Sequence, residues 1–164
     1  MIKKTNFKGL YVIKNKNLKD QRGSFMEILK NKQIKKVFPF FVCSRSKKNV
    51  IRGLHIQTKN PQGKYFTVLK GKILDVSVDL RKNSKTFGMV FQLILTDSNY
   101  KSVYIPEGFA HGFCSLTDDS LIVYSCTKYR NSKSEVAIKY DDKDLKIKWP
   151  TKKPIVSKKD QNAL

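Results

Sequence analysis

Two residues with suitable acid–base chemistry stand close together in the middle of the chain. The stretch "IRGLHIQTKNPQGKY" carries His55, one of only two histidines in 164 residues, and then Lys64 directly after a glycine. An imidazole with an ordinary pKa near 6.5 accepts a proton at neutral pH. An ammonium group aimed at an oxygen atom stabilises negative charge that develops there. Each residue also has a simpler interpretation: His55 as a packing residue on a strand, and Lys64 as a solvated surface residue.

The elements that must position these residues are predicted to be β-strands. Segments such as "KYFTVLKG", "KILDVSVDLR" and "SLIVYSCTKY" are rich in β-branched and aromatic residues and are separated by Gly, Pro and Asn. In "KILDVSVDLR", apolar and polar residues alternate, which predicts a strand with one apolar face. This strand and "KYFTVLKG" are predicted to form a hairpin around Gly71. Several short strands at near-regular spacing indicate an all-β sandwich or barrel.

The chain is strongly basic, with a formal net charge of +21. A basic surface suits a polyanion as partner, because cations release the counterions of phosphate backbones. However, only five of the 34 basic residues are arginines, and the lysines are spread along the chain from Lys3 to Lys159. Proteins that read nucleic acids tend to concentrate arginine. The sequence therefore does not favour nucleic acid as the partner, and a basic binding module stays an alternative.

Length and cysteine content limit the class of protein further. A chain of 164 residues fits one domain, spanning residues 1–164. Its three cysteines, Cys43, Cys114 and Cys126, are odd in number and form no C-x-x-C motif. A disulfide framework or a zinc site is therefore not expected. Since the first residues contain no long apolar run, we predict a soluble, cytoplasmic protein with no membrane partner.

Five separated motifs carry a resemblance to a known family. "RGLHIQ", "PQGKY", "GKILDVSVDLRKNSKTFG", "YIPEGFAHGF" and "DLKIKWP" occur in this order. Nearly the whole chain resembles the sugar-nucleotide epimerases typified by dTDP-4-dehydrorhamnose 3,5-epimerase. The resemblance implies an all-β, cupin-like jelly roll with short terminal helical or irregular segments, usually a homodimer. It also implies inversion of C3 and C5 of a nucleoside-diphosphate 4-keto-6-deoxy sugar without a cofactor, in deoxysugar and cell-surface polysaccharide biosynthesis.

Such a reaction needs three chemical groups around the sugar. A base removes the proton next to the ketone, an electrophile holds the enolate oxygen, and an acid on the opposite face returns a proton. His55 is the natural base, and by resemblance Asp160 in "IVSKKD" pairs with it and fixes its tautomer. By resemblance, Lys64 binds the enolate oxygen and Tyr124 in "LIVYSC" is the acid. In the simpler interpretations Tyr124 packs in the core and Asp160 lies in a frayed terminus.

The resemblance also implies a set of substrate-binding residues. Arg52 and the partner's Arg22 hold the diphosphate, because a guanidinium binds phosphate through two hydrogen bonds. Glu27 and Tyr129 lie near the substrate, and His111 in "FAHGF" lines the pocket. Alternatively, Arg22 caps a turn and Glu27 pairs with a neighbouring lysine, which contributes little energy at a surface.

Many cupins bind a metal ion through an H-x-H pair together with a glutamate and a third histidine. Here the corresponding residues are His55, Ile56 and Gln57, and the chain has only two histidines. One chain therefore cannot supply three histidine ligands, and we predict no catalytic metal.

Two departures from the family pattern concern the nucleotide. The segment "FFVCSRSKKNV" lacks the family's Gln-x-Asn element, and Tyr129 is followed by Arg130 where the family often has a second tyrosine. An arginine at this place adds a possible phosphate contact. Because the nucleotide pocket is altered, the base of the nucleotide stays open. An epimerase acting at C3 alone, or a ketoisomerase on another nucleotide sugar, stays an alternative.

Overall fold

The computed structural model of the chain describes residues 1–163, and nearly all regular elements in them are strands. The strands are β1 (Ile2–Lys4), β2 (Tyr11–Lys14), β3 (Lys16–Asp20), β4 (Gly23–Glu27), β5 (Phe40–Ser46), β6 (Ile51–Gln57), β7 (Lys64–Lys70), β8 (Lys72–Asp79), β9 (Val90–Thr96), β10 (Lys101–Ile105), β11 (Phe109–Ser115), β12 (Ser120–Cys126) and β13 (Glu135–Ala137). The helices are α1 (Asn31–Ile34), a 3-10 turn (Ser132–Ser134) and α2 (Lys158–Gln161). No helix within these residues is long and apolar enough to cross a membrane.

The strands form two main sheets and one separate hairpin. The six-stranded sheet has the order β1-β2-β10-β7-β12-β5, and the five-stranded sheet has the order β13-β6-β11-β8-β9. Strands β3 and β4 pair only with each other. Every pairing between these strands is antiparallel. The all-β prediction is therefore confirmed.

The main hydrophobic core lies between the two large sheets. Phe66 and Val68 of the six-stranded sheet contact a cluster that includes Ile73, Leu95 and Phe113 of the five-stranded sheet. All five side chains are at most 4% exposed. Burying each such side chain stabilises the fold by about 1.5–3 kcal/mol. Packing between the sheets therefore fixes the distance between their inner faces.

A second apolar layer covers the outer face of the five-stranded sheet. Val76 and Val78 of β8 lie on this face and are fully buried. They belong to a cluster packed against Leu145 and Trp149 of the C-terminal segment. The indole N–H of Trp149 also donates a hydrogen bond to the carbonyl of Tyr140, at 2.7 Å. The C-terminal segment thus covers a sheet face, which leaves the other face of β8 directed into the interior.

The turn at Gly71 is correctly predicted, but the predicted hairpin is wrong. Strand β7 pairs with β10 and β12, whereas β8 pairs with β9 and β11, so the chain crosses at Gly71 from one sheet to the other. Gly71 has a φ of +86°, which a glycine adopts without strain. The polar face of β8 is also buried, since Asp75 and Ser77 are fully inaccessible. The alternation of apolar and polar residues along a strand does not reveal which sheet the strand joins.

Strands β6 and β11 approach each other closely at a pair of glycines. A Cβ atom on Gly112 would lie 2.6 Å from the carbonyl oxygen of Arg52, and one on Gly53 would lie 2.6 Å from the carbonyl oxygen of His111. The register between the strands shifts at this point, between His111 and Phe113. The close approach brings His55 directly opposite His111.

We predict that Gly112→Ala destabilises the protein by about 1–3 kcal/mol, because the added methyl group has no space against β6. Urea unfolding followed by circular dichroism measures the change. Lys133→Ala, an exposed substitution, serves as the control and leaves the free energy of unfolding within about 0.5 kcal/mol of the wild type. An unchanged unfolding midpoint for Gly112→Ala would contradict the close approach.

Candidate active site

A cavity of about 680 Å³ opens between the two sheets beside the C-terminal helix α2. Its walls include β6 and β11 of the five-stranded sheet and β5, β7 and β12 of the six-stranded sheet. The cavity is lined by six of the nine residues that the sequence singled out: Arg52, His55, Lys64, His111, Tyr124 and Asp160. These residues lie far apart in the sequence, and the fold brings them together.

His55 and Asp160 form a hydrogen-bonded pair at one side of the cavity. The Nε2 atom of His55 lies 2.6 Å from Oδ1 of Asp160. The backbone N–H of Gly53 donates a further hydrogen bond to Oδ2 of Asp160, at 3.3 Å. Burial alone raises the pKa of Asp160, but the hydrogen bond with His55 and the other donors lower it below 3.8 overall. The carboxylate therefore stays charged, favours a proton on Nε2 of His55, and leaves Nδ1 to accept another.

The C-terminal segment that carries Asp160 is held in place by backbone hydrogen bonds. Ile155 pairs with the segment that leads into β6: its N–H donates to the carbonyl of Asn49, at 2.9 Å, and its carbonyl accepts from the N–H of Ile51, at 3.0 Å. The side chain of Ser157 then caps α2 by accepting a hydrogen bond from the N–H of Asp160. Asp160 is only 3% exposed. The interpretation of this segment as a frayed terminus is therefore wrong.

Lys64 is a partly buried cation with no carboxylate partner among residues 1–163. The lysines that form salt bridges in this part of the chain are Lys30, Lys36, Lys70 and Lys159. Burial lowers the pKa of the Lys64 ammonium below its ordinary value of 10.5. An ammonium group that has lost solvent without gaining a counterion interacts strongly with any anion that enters the cavity.

Tyr124 lines the cavity from the six-stranded sheet, whereas His55 lines it from the five-stranded sheet. Its ring stacks on Phe66, with centroids 5.1 Å apart and an interplanar angle of 20°. Burial raises the pKa of the Tyr124 hydroxyl above its ordinary value of 10.0. The phenol therefore keeps its proton at neutral pH, and the stacked ring limits the positions of its oxygen.

His111 forms a second, deeper pair with a carboxylate. Its Nε2 atom lies 2.6 Å from Oδ1 of Asp75, and both side chains are at most 5% exposed. Burial lowers the pKa of His111 below 6.5. The ring also packs edge-on against Phe66, at a centroid distance of 4.7 Å. His111 thus borders the cavity as a fixed imidazole.

Arg52 extends along the cavity with much of its hydrogen-bonding capacity free. Its Nε atom donates to Oγ of Ser46, at 3.0 Å, and Nη2 donates to the carbonyl of Arg45, at 3.1 Å. Both acceptors are neutral, so the guanidinium charge has no carboxylate within these contacts. A guanidinium in this state is well suited to bind phosphate.

Three of the residues that the sequence singled out lie outside the cavity. Arg22 lies at the tip of the β3–β4 hairpin, where it pairs with Asp20 and is highly exposed. Glu27 pairs with Lys30, at 2.7 Å. Tyr129 is 68% exposed, and its ring centroid lies 5.9 Å from that of Phe40, which lines the cavity. The roles of these three residues, like those of the six in the cavity, stay predictions.

Two charged residues that line the cavity were missed in the sequence. Glu135 pairs with both Arg130 and Lys159, and all three contribute to the cavity wall. Hydrogen bonds from these cations outweigh the effect of burial and lower the pKa of Glu135 to about 2. Charged residues are frequent throughout this chain, so neither Glu135 nor Lys159 was distinguished by its spacing. Only the pairing of β13 with β6 places Glu135 here.

Residues 1–163 contain no group of three or more His, Cys, Asp or Glu side chains placed to hold a metal ion. The prediction that the reaction uses no catalytic metal stays a prediction. The arrangement that is present in these residues consists of an imidazole with its carboxylate, an ammonium group without a salt-bridge partner and a protonated phenol. Groups of these types can carry out proton transfer at carbon.

We predict that the Lys64 ammonium loses its proton at a lower pH than a fully solvated lysine does, because burial disfavours its charged form. Lysines labelled by reductive ¹³C-methylation can be followed by NMR between pH 7 and 12. The resonance that is absent from Lys64→Met should titrate below 10.5. A midpoint at or above this value would contradict the buried position of the ammonium group.

Comparisons with known proteins agree with this geometry. A model of the family described as dTDP-4-dehydrorhamnose 3,5-epimerase matches residues 4–164. The enzyme of this name from Methanothermobacter thermautotrophicus is 40% identical, over 97% of this chain and 90% of its own length.

Solved structures extend the likeness to the fold. The dTDP-6-deoxy-D-glucose-3,5-epimerase of Legionella pneumophila, in complex with dTDP-4-keto-L-rhamnose, is 39% identical with a TM-score of 0.96, over 99% of this chain and 90% of that one. A 3'-monoepimerase from Streptomyces bikiniensis, in complex with dTDP-quinovose, is 29% identical with a TM-score of 0.90, over 97% and 84%. The predicted cupin-like jelly roll is confirmed. The chain belongs to the dTDP-4-dehydrorhamnose 3,5-epimerase family.

Proposed function

We propose that the chain is an isomerase that inverts C3 and C5 of a nucleoside-diphosphate 4-keto-6-deoxy sugar, of the dTDP-4-dehydro-6-deoxyglucose type, in deoxysugar biosynthesis. Membership of the family supports the reaction class. One observation of the site carries the mechanism. His55 on β6 and Tyr124 on β12 reach the same cavity from opposite sheets, so that a ring bound between them meets a base on one face and an acid on the other.

Proton removal begins the reaction. The C4 ketone acidifies the hydrogens on C3 and C5, and Nδ1 of His55 takes one of them while Nε2 stays hydrogen-bonded to Asp160. The electron pair of the C–H bond moves into the ring and the ketone becomes an enolate. The charged carboxylate of Asp160 stabilises the imidazolium that forms.

The enolate requires a cation, because a carbon acid is a much weaker acid than imidazolium. Each unit of pKa mismatch costs about 1.4 kcal/mol. Lys64 supplies the cation: its ammonium group lies in the cavity, is largely removed from water and has no salt-bridge partner among the described residues. In such surroundings the charge acts on the enolate oxygen far more strongly than in bulk water.

Protonation on the opposite face completes the inversion. The Tyr124 hydroxyl donates its proton to the carbon, the enolate returns to the ketone, and the phenolate and imidazolium exchange protons with water to restore the starting state. Because burial raises the pKa of Tyr124, the hydroxyl is protonated when the enolate forms. The same three groups then act on the second carbon.

The diphosphate of the substrate meets a positive cavity. Arg52, Lys64, Arg130 and Lys159 line it against two carboxylates, Glu135 and Asp160, which leaves a surplus of positive charge. Arg52 makes hydrogen bonds only to neutral acceptors, so its remaining N–H groups are available to the phosphates. This supports the role of Arg52 in diphosphate binding.

We place Arg22 and Glu27 in the active site of a second copy of the chain within a homodimer. Among residues 1–163, the β3–β4 hairpin that carries Arg22 pairs with no other strand. Leu18 and Phe25 on this hairpin are 49% and 66% exposed. Apolar side chains exposed together are typical of an interaction surface.

An enzyme that inverts C3 alone is the second candidate. A 3'-monoepimerase shares this fold, with 29% identity and a TM-score of 0.90, although the 3,5-epimerase of Legionella pneumophila is more similar, with 39% identity and a TM-score of 0.96. In deuterated water, inversion at both carbons introduces deuterium at C3 and C5, whereas the second candidate introduces it at C3 only. A panel of 4-keto-6-deoxy sugar nucleotides, read by NMR, therefore separates the two reactions and identifies the preferred nucleotide.

We predict that His55→Asn and Lys64→Met each lower kcat at least about 100-fold, since each removes one component of proton transfer at carbon. Lys70→Met is the matched control: Lys70 lies on the same strand as Lys64 but pairs with Asp119 outside the cavity. It should keep wild-type turnover. Thermal unfolding verifies that all three variants are folded. Full activity in either active-site variant would make the assigned mechanism wrong. If the protein is instead a non-catalytic basic binding module, neither the wild type nor any variant turns over the substrate, and all of them still bind the ligand.

We predict that Tyr124→Phe separates hydrogen exchange from inversion. His55 still removes and returns protons on its own face, so deuterium enters the substrate, but the acid on the other face is missing. The phenylalanine keeps the stacking on Phe66 and hence the shape of the cavity. NMR in deuterated water measures both rates, with Tyr100→Phe as a control outside the cavity. Unchanged inversion, or equal loss of exchange and inversion, would contradict the role of Tyr124.

A further inference from the structure

Arg130 lines the cavity, but the proposed mechanism assigns it no role, whereas it assigns Arg52 to the diphosphate. Arg130 follows β12 in the chain, whereas Arg52 lies on β6 of the other sheet, and both line the cavity. The side chain is 57% exposed, so the guanidinium stands at the mouth of the cavity rather than in its depth.

A carboxylate holds this guanidinium in one orientation. Nε of Arg130 donates to Oε2 of Glu135, at 2.9 Å, and Nη2 donates to Oε1, at 3.1 Å. These two hydrogen bonds occupy one edge of the planar group. Nη1 and the second N–H of Nη2 remain, and no hydrogen bond to another acceptor uses them in residues 1–163. A guanidinium fixed along one edge presents its other donors with little entropic cost.

Glu135 does not neutralise the mouth of the cavity, because it also binds Lys159. Two cations therefore share one carboxylate. The pKa of Glu135 is lowered to about 2, so the carboxylate keeps its charge at any pH at which the enzyme works. The charge of Arg130 also acts on the centre of the cavity: it adds to the effect of burial, which lowers the pKa of Lys64, and it partly offsets the effect of burial, which raises the pKa of Tyr124.

From these contacts we infer that Arg130 is a second diphosphate-binding residue, which holds the substrate's phosphate oxygens from the side opposite Arg52, with Glu135 as its positioning residue. The inference rests on the proposed function, because it takes the ligand to be a nucleoside diphosphate sugar. It requires only hydrogen bonds from free N–H groups to phosphate oxygens and no rearrangement of the cavity wall. It also makes the diphosphate, rather than the nucleotide base, the part of the ligand that the mouth of the cavity recognises.

Calorimetric titration with dTDP, dTMP and thymidine tests the inference on the full-length protein. We expect Arg130→Gln to weaken dTDP binding about tenfold, because a charge-assisted hydrogen bond is lost, and to change thymidine binding less than about twofold. Arg130→Lys, which keeps the charge but not the planar donors, should be intermediate. Lys133→Gln, an exposed cation three residues along the chain, is the matched control and should bind dTDP like the wild type.

A double variant distinguishes the loss of a direct contact between Arg130 and the phosphates from a change in the electrostatic potential at the mouth of the cavity. Arg130→Gln leaves Glu135 with a less compensated charge, which by itself repels a phosphate. In Arg130→Gln combined with Glu135→Gln this repulsion is absent, so dTDP binding should stay weak if Arg130 contacts the phosphates. Recovery of wild-type affinity in the double variant would overturn the inference. So would equal weakening of dTDP and thymidine, or no effect of Arg130→Gln at all.

The outcome is distinguishable from failure of the proposed function, because binding is measured without turnover. If the variants behave as expected but the wild type does not epimerise any 4-keto-6-deoxy sugar nucleotide, the proposed function fails and Arg130 remains a diphosphate-binding residue. If the wild type turns over its substrate and Arg130→Gln leaves both KM and dTDP affinity unchanged, the inference fails alone.

Discussion

The hydrogen bond between His55 and Asp160 is the interaction on which the site depends. It joins a strand in the middle of the chain to the last helix, at a distance of 2.6 Å between Nε2 and Oδ1. For the two side chains to meet, β6 must lie in the five-stranded sheet and the C-terminal segment must return along Asn49 and Ile51. The pair orients the imidazole and leaves its other nitrogen available to a ligand in the cavity. In the proposed mechanism, the fold thus fixes the direction of proton removal.

A second constraint is the polar interior between the sheets. Asp75 and His111 are buried on the inner face of the five-stranded sheet, and Lys64 lies on the opposite sheet without a carboxylate partner among the described residues. Such groups cost stability, because burial removes their hydration. The apolar cluster around Phe66 and the outer layer around Trp149 offset this cost. In return, charges in a partly dry cavity act strongly on a bound anion.

Much of this arrangement is readable in the sequence, and the rest depends on tertiary contacts. Strand composition and turn residues indicate the all-β fold, and motifs such as "RGLHIQ" and "PQGKY" single out His55 and Lys64. The crossing of the chain from one sheet to the other at Gly71 cannot be predicted from the sequence, because a hairpin turn and a turn between sheets use the same types of residue. The Glu135 contacts with Arg130 and Lys159 are not readable either, since in a chain with 34 basic residues no spacing marks which cations meet one carboxylate.

The most direct test of the account is a crystal structure of the protein with a bound dTDP-6-deoxy sugar that lacks the 4-keto group and is therefore not turned over. The account predicts a sugar ring between Nδ1 of His55 and the hydroxyl of Tyr124, with the C4 substituent directed to Nζ of Lys64. A ring that contacts both residues from the same face, or that lies outside the cavity between the two sheets, would contradict it.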